Sequence, residues 1–250
     1  MLSPASILPM NLSKYFSLSI CSFVLAGRCL AADVTPVLDL KAVPSDDLKV
    51  VIGKNIDLDI DAGKVESTPE GLSIKDGRAV TILHDPKSPV FGKGSFTWIV
   101  KCRIADPFAP SRSPILLGRW EVGHWKEPLD QRVVAIGLVP EKGELNFMLS
   151  PNGTADACVG AQMPPVTAGA WIQVVFRVEV GRFMAFSIYD DQGDILAEEK
   201  IRELELKGLF DAPADLVLGA GPEAGVTLSR VRIWDKALSP DQVEKAVSEK

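Results

Sequence analysis

Ser95-Phe96-Thr97-Trp98-Ile99-Val100-Lys101-Cys102-Arg103-Ile104 alternates two kinds of side chain. Trp98, Val100, Cys102 and Ile104 fall on one face, Thr97, Lys101 and Arg103 on the other, the period-two pattern of a strand buried on one side. Residues 171–180 repeat it: Ile172, Val174, Phe176, Val178 and Val180 point one way, Gln173, Arg177 and Glu179 the other. Working outward, residues 132–139 and 144–150 form two more runs, joined by Pro140-Glu141-Lys142-Gly143 as a hairpin connection. Gly181-Arg182 turns the chain into a strand over 183–189, and Asp190-Asp191-Gln192-Gly193-Asp194 is the next turn. Residues 216–219 and 226–234 close the series. Short antiparallel strands at this spacing predict an all-β antiparallel sandwich or jelly roll. One helix is expected at the C-terminus, where Ser239-Pro240-Asp241-Gln242 supplies an N-cap, a proline at N1, an acid in the first turn and a capping-box glutamine. A further helical turn is expected over 203–209, and a leading strand or arm packed on the sandwich over 33–70.

The order of these segments resembles the laminin-G-like, concanavalin A-like jelly-roll family of lectins and glucanases found in secreted bacterial proteins. The similarity spans about residues 80–248. Ser95-Phe96-Thr97-Trp98-Ile99 is similar to the family's opening strand, and Leu116-Leu117-Gly118-Arg119-Trp120 to a later strand that usually carries lysine where Arg119 stands. Gly169-Ala170-Trp171-Ile172-Gln173-Val174 matches a third strand, with Gln173 in place of a common histidine. Tyr189-Asp190-Asp191-Gln192-Gly193 resembles a family hairpin lengthened by one residue. The fullest match is the tail: Leu216-Val217-Leu218-Gly219, then the run from Leu228 through Trp234-Asp235-Lys236-Ala237-Leu238 to Ser239-Pro240-Asp241-Gln242-Val243. These positions belong to core, turns and cap, so the resemblance implies a fold far more than a function.

The 250 residues are 46% hydrophobic and 24% charged, a globular composition that excludes disordered and low-complexity classes. A net charge of -6 provides no electrostatic footprint for duplex nucleic acid or an anionic membrane surface. Residues 1–32 contain no acid. Within them Lys14 precedes an apolar run over 15–26, and Leu30-Ala31-Ala32 places small residues just before Asp33. That is the pattern of a secretory signal peptide cleaved near Ala32, followed by one domain over 33–250; a buried helix or membrane anchor is the alternative. The apolar run is shorter than the about 20 residues that span a bilayer. Arg28 before Cys29 argues against a lipoprotein signal. Cleavage removes Lys14 and Arg28 but no acid, leaving 218 residues with 25 basic and 33 acidic side chains, a net charge of -8. A secreted or periplasmic location follows. Cys102 and Cys158 are the cysteines that remain, either a disulfide or two separate buried thiols.

Motifs for chemistry are sparse. His84 and His124 are the only histidines, and no H-E-x-x-H, C-x-x-C or G-x-S-x-G occurs, so transition-metal and serine-nucleophile chemistry lack a basis. Jelly-roll glucanases of the resembling family use paired glutamates and aspartates on one strand. The nearest match, Asp57-Leu58-Asp59-Ile60-Asp61, lacks the glutamates and reads as an acidic solvent-facing edge. Trp120, His124 and Trp125, gathered around one loop, are the ligand candidates, because sugars stack their C–H faces on indoles; packing of Trp120 into the core and of Trp125 against its loop is the competing role. Asp190, Asp191 and Asp194 offer hard oxygens for calcium, which relatives in the resembling family often carry, or else form a solvated hairpin tip. No cofactor is required by any motif. The sequence therefore predicts a secreted, non-catalytic module that binds an extracellular glycan or protein through loops or the concave sheet. It has no span in the mature chain and no nucleic-acid partner. A carbohydrate-active hydrolase or lyase on the same fold is the alternative, and a structural surface module the third.

Overall fold

The computed structural model describes residues 34–249, apart from 43–47, 54–55, 76–79, 106–114, 122–130, 140–141, 155–156, 203–204 and 221–224. The first strands are β1 (Leu38–Ala42), β2 (Leu48–Gly53), β3 (Leu58–Ile60), β4 (Val65–Thr68), β5 (Gly71–Ile74) and β6 (Val80–Ile82). Then come β7 (Phe96–Ile104), β8 (Ile115–Glu121), β9 (Gln131–Val139), β10 (Glu144–Leu149) and β11 (Val159–Pro165). The last are β12 (Trp171–Glu179), β13 (Phe183–Asp190), β14 (Ile195–Arg202), β15 (Leu216–Ala220) and β16 (Val226–Trp234), followed by helix α1 (Pro240–Ser248).

Two antiparallel sheets stack as a sandwich. Sheet A runs β14-β13-β12-β7-β16-β1-β2, with β5 also paired to β16 and β4 to β5; sheet B runs β11-β10-β9-β8-β15-β6-β3. The sets β8–β11 and β12–β14 are meanders. β15 and β16 return instead to the sheet centres, β15 between β8 and β6 and β16 between β7 and β1. The chain thus changes sheets repeatedly, the jelly-roll character expected from the sequence. The alternation of 95–104 is realised in β7: Phe96, Trp98, Val100, Cys102 and Ile104 join the core between the sheets. Its centre is aromatic, with Phe147 of sheet B edge-on to Phe176 of sheet A at 5.4 Å and tilted on Phe186 at 4.7 Å.

Two glycines of the family-like motifs have steric reasons. Gly219 has φ +60°, and a Cβ there would collide with the Ile74 side chain. Gly193 has φ +90° in the turn between β13 and β14, a conformation that favours glycine.

The stretch 33–70 does more than lean on the sandwich. Leu38 and Leu40 of β1 are fully buried, and β1 is an inner strand of sheet A, while β3 extends sheet B. The helical turn expected over 203–209 does not form at the described residues 205–209, which carry no helix. The expected helix is present as α1, with the complete capping box: Gln242 N–H donates to Ser239 Oγ at 3.3 Å and Ser239 N–H to Gln242 Oε1 at 2.9 Å. No helix among the described residues is long and apolar enough to cross a membrane. Residues 1–32, where the sequence predicts a signal peptide, lie outside them.

Candidate functional site

The outer face of sheet A is where polar chemistry concentrates. Helix α1 lies on it and closes a second, smaller apolar layer: Ile99, Val175, Tyr189 and Trp234 of the sheet against Leu238, Val243, Ala246 and Val247. Around this layer, side chains that the strand alternation points outward are buried by the C-terminal segment. Thr97 Oγ1 donates to the Lys236 carbonyl at 2.9 Å and accepts from Leu238 N–H at 2.9 Å. Arg177 donates to the Leu238 carbonyl at 2.9 Å, and Gln173 Nε2 to the Val247 carbonyl at 2.7 Å. Arg232 donates to the Ala246 carbonyl. A helix leaves its last four carbonyls without intrahelical donors. Here Gln173 and Arg232 of the sheet serve two of them, and the Arg232 charge also suits the negative end of the helix dipole.

Beside the C-terminal end of α1 this face opens into a pocket of about 530 Å³, walled by Lys101, Gln173, Arg230, Arg232, Asp191 and Glu249 among others. Its floor is basic by register. Lys101 of β7 pairs with Arg230 of β16, and Arg230 with Lys41 of β1. Three basic residues thus occupy one row across three neighbouring strands. Acids hold three cations of this face. Asp39, 2% exposed, accepts two bonds from Arg230, at 2.9 and 2.7 Å. Asp191 pairs with Lys101 at 2.6 Å and Glu249 with Arg232 at 2.9 Å. The bond to Asp39 pushes the Arg230 pKa up against the opposing effect of burial. Burial, and then the Arg230 charge, draw that of Arg232 down to about 10.

The residues singled out in the sequence are distributed differently. Trp120 is half-buried near the end of β8, with the Arg132 guanidinium 5.7 Å from its ring centroid. His124 and Trp125 lie outside the described residues. The preceding Arg119 is turned inward and fully buried, donating to the carbonyls of Phe91 at 3.3 Å and Ala212 at 3.0 Å; desolvation draws its pKa down to about 10. Of the three hairpin aspartates, Asp190 accepts the backbone N–H groups of Gln192 and Asp194, each at 2.9 Å, and so caps its own turn. Asp191 is committed to Lys101, and Asp194 is exposed. Among the described residues no three His, Cys, Asp or Glu side chains gather as a metal-ligand set. Asp57, Asp59 and Asp61 are all exposed, alternating with half-buried Ile56, Leu58 and Ile60, on and beside the edge strand β3.

Cys102 and Cys158 are not joined in a disulfide. Cys102 is enclosed in the interior core, where burial pushes its thiol up to about 12. Cys158 stands just before edge strand β11 of the other sheet and donates to the Thr154 carbonyl at 3.4 Å. Cys102 is buried and Cys158 half-buried.

The residues of the pocket that sequence reasoning missed are Lys41, Arg230 and Arg232. Each is an ordinary outward basic residue of an alternating strand. Their adjacency depends on β1 and β16 being neighbours, which no local pattern reports.

No protein-family model matches the sequence, and no curated protein does. Solved structures do match in fold. The chain is similar to the binding domain of Paraclostridial Mosquitocidal Protein 1, with a TM-score of 0.58 and 16% identity over 86% of this chain and 51% of that one. It is also similar to the botulinum neurotoxin serotype D ligand-binding domain, determined in complex with N-acetylneuraminic acid, with a TM-score of 0.62 and 9% identity over 85% and 50%. A third is a Trypanosoma rangeli sialidase in complex with 2,3-difluorosialic acid, with a TM-score of 0.61 and 15% identity over 85% and 32%. The chain spans about half the length of the toxin domains and about a third of the sialidase. At these identities the likeness establishes the β-sandwich fold.

Proposed function

We propose that this protein is a non-catalytic binding module, working outside the cytoplasm as a secreted or periplasmic domain, that holds an extracellular glycan through the outer face of sheet A. The observation that carries the reading is the pocket of about 530 Å³ beside α1, within the about 300–1,000 Å³ typical of small-ligand sites. Gln192, Ser229 and Ser248 line it with neutral hydrogen-bonding groups suited to sugar hydroxyls. The ion pairs also favour binding over hydrolysis. Glycoside hydrolysis uses two carboxyls, one of them protonated, across the scissile bond. Asp39, Asp191 and Glu249 around this pocket are instead each engaged with a cation.

The test is a glycan array on the full chain, with and without calcium, beside a reducing-sugar release assay. Binding without turnover is the expected result, and the calcium arm decides whether Asp194 and its neighbours contribute a metal. Polysaccharide turnover abolished by a single Asp or Glu substitution would overturn the reading in favour of a hydrolase or lyase.

A further inference from the structure

We propose that the saccharide taken by this pocket is an acidic one, presenting carboxylate or sulfate groups; the inference rests on the glycan-binding reading above. Like charges directly opposite on neighbouring strands are destabilising. The row Lys101, Arg230 and Lys41 repeats that arrangement across two successive strand pairs of sheet A. Arg232 adds a fourth basic group two residues along β16, facing Asp39 across the β1 pairing. This occurs in a chain whose net charge is -6, so the accumulation runs against its overall composition.

Internal acids neutralise only part of the row. Arg230, Lys101 and Arg232 each have a carboxylate partner. Lys41 is exposed and lines the pocket, and among the described residues no acid pairs with it. A ligand anion entering beside Lys41 meets an ammonium that no described acid pairs with, with Arg230 in the adjoining register position held in place by two bonds to Asp39. Charge-assisted hydrogen bonds of this kind are stronger than neutral ones. The Asp191 and Glu249 carboxylates at the rim disfavour anions elsewhere in the pocket and so direct the acid group of the ligand toward the Lys41 side. The neutral amide and hydroxyl groups opposite are left for sugar hydroxyls. A bare anion would leave most of the 530 Å³ unfilled.

Full-length protein is titrated calorimetrically with oligogalacturonate, sulfated dextran, neutral dextran and inorganic sulfate. The expected result is binding to a uronate or sulfated polymer at least about tenfold tighter than to neutral dextran, weakening as salt is raised. Lys41→Glu should lower that affinity by about tenfold or more, and Lys41→Arg should retain it. Lys41 is exposed, so both variants are expected to fold, and an unchanged circular-dichroism melt verifies it. Equal binding of neutral and acidic polymers, or affinity indifferent to Lys41→Glu, overturns the inference while leaving the glycan-binding reading standing. Inorganic sulfate binding as tightly as the polymers overturns the saccharide part. If no saccharide binds here or on the array, the glycan-binding reading itself fails, and the acidic-ligand inference falls with it.

Discussion

The two apolar layers of this protein are built on opposite rules. Between the sheets the side chains are almost wholly hydrocarbon and aromatic, Phe147, Phe176 and Phe186 among them. Beneath α1 a few apolar contacts are ringed by buried polar groups, Thr97, Gln173, Arg177 and Arg232, whose partners are backbone atoms of one C-terminal stretch. Hydrophobic burial is non-directional, so the inner layer tolerates any well-shaped apolar filling. Hydrogen bonds to particular carbonyls are directional, and they fix where the helix sits. The same face can then present a charged pocket at the helix end without losing its order.

Four substitutions test that contrast. The largest effect is expected at the inner layer: Phe176→Ala should destabilise by about 3–5 kcal/mol in urea unfolding, because a cavity opens where three aromatic rings meet. Val175→Ala, one residue along but beneath the helix, should cost clearly less; equal costs would show the layers to be equally rigid. Next, Arg232→Met removes the donor to the Ala246 carbonyl and the partner of Glu249. A loss of about 1–3 kcal/mol is expected, with faster amide exchange in α1 and unchanged exchange in β12. Exchange that accelerates equally in both elements would mean that the outer layer does not open separately. Ser239→Ala, which deletes the cap of α1, should cost about 1 kcal/mol and accelerate exchange over the same helix.

The smallest effect near neutral pH belongs to Cys102. Its thiol is raised to about 12 from an ordinary 9.0 by burial, so the folded state keeps it neutral where the unfolded chain would ionise it. Its contribution is therefore fully present below pH 9 and is lost as pH rises from 9 toward 12. Stability measured across that range should fall less steeply in Cys102→Ala, and iodoacetamide should label Cys102 only after unfolding. Labelling of Cys102 in the folded state at pH 8 would contradict its enclosure.

The sequence made the strands legible to different degrees. β7 and β12 were plain because each has one buried apolar face and outward positions that are mostly polar. β1 was obscure because five residues are too few for alternation to stand out, although Leu38 and Leu40 are as buried as any residue in the core. The capping box of α1 was readable because Ser239 and Gln242 act within one turn of chain. The site was harder. Asp191 reads as part of an acidic turn, yet its partner Lys101 is 90 positions away in sequence and joins it only once β13 and β7 flank β12. Gln173 and Arg177 looked like solvent-facing residues because an alternating strand cannot report what covers its outer face.

By itself, then, the sequence determined many of the strands, β7, β9, β10, β12, β13, β15 and β16 among them, which of their faces are apolar and how the last helix begins. All of these arise from interactions within a few residues. Tertiary structure alone decided that the outward face of sheet A is partly covered by α1, that Arg230 and Arg232 lie beside Lys41 and Lys101, and that Cys102 lies in sheet A while Cys158 stands just before β11 of sheet B. Those outcomes depend on strand order and register, which are set by pairings across as many as 195 residues, as between Leu38 and Ile233.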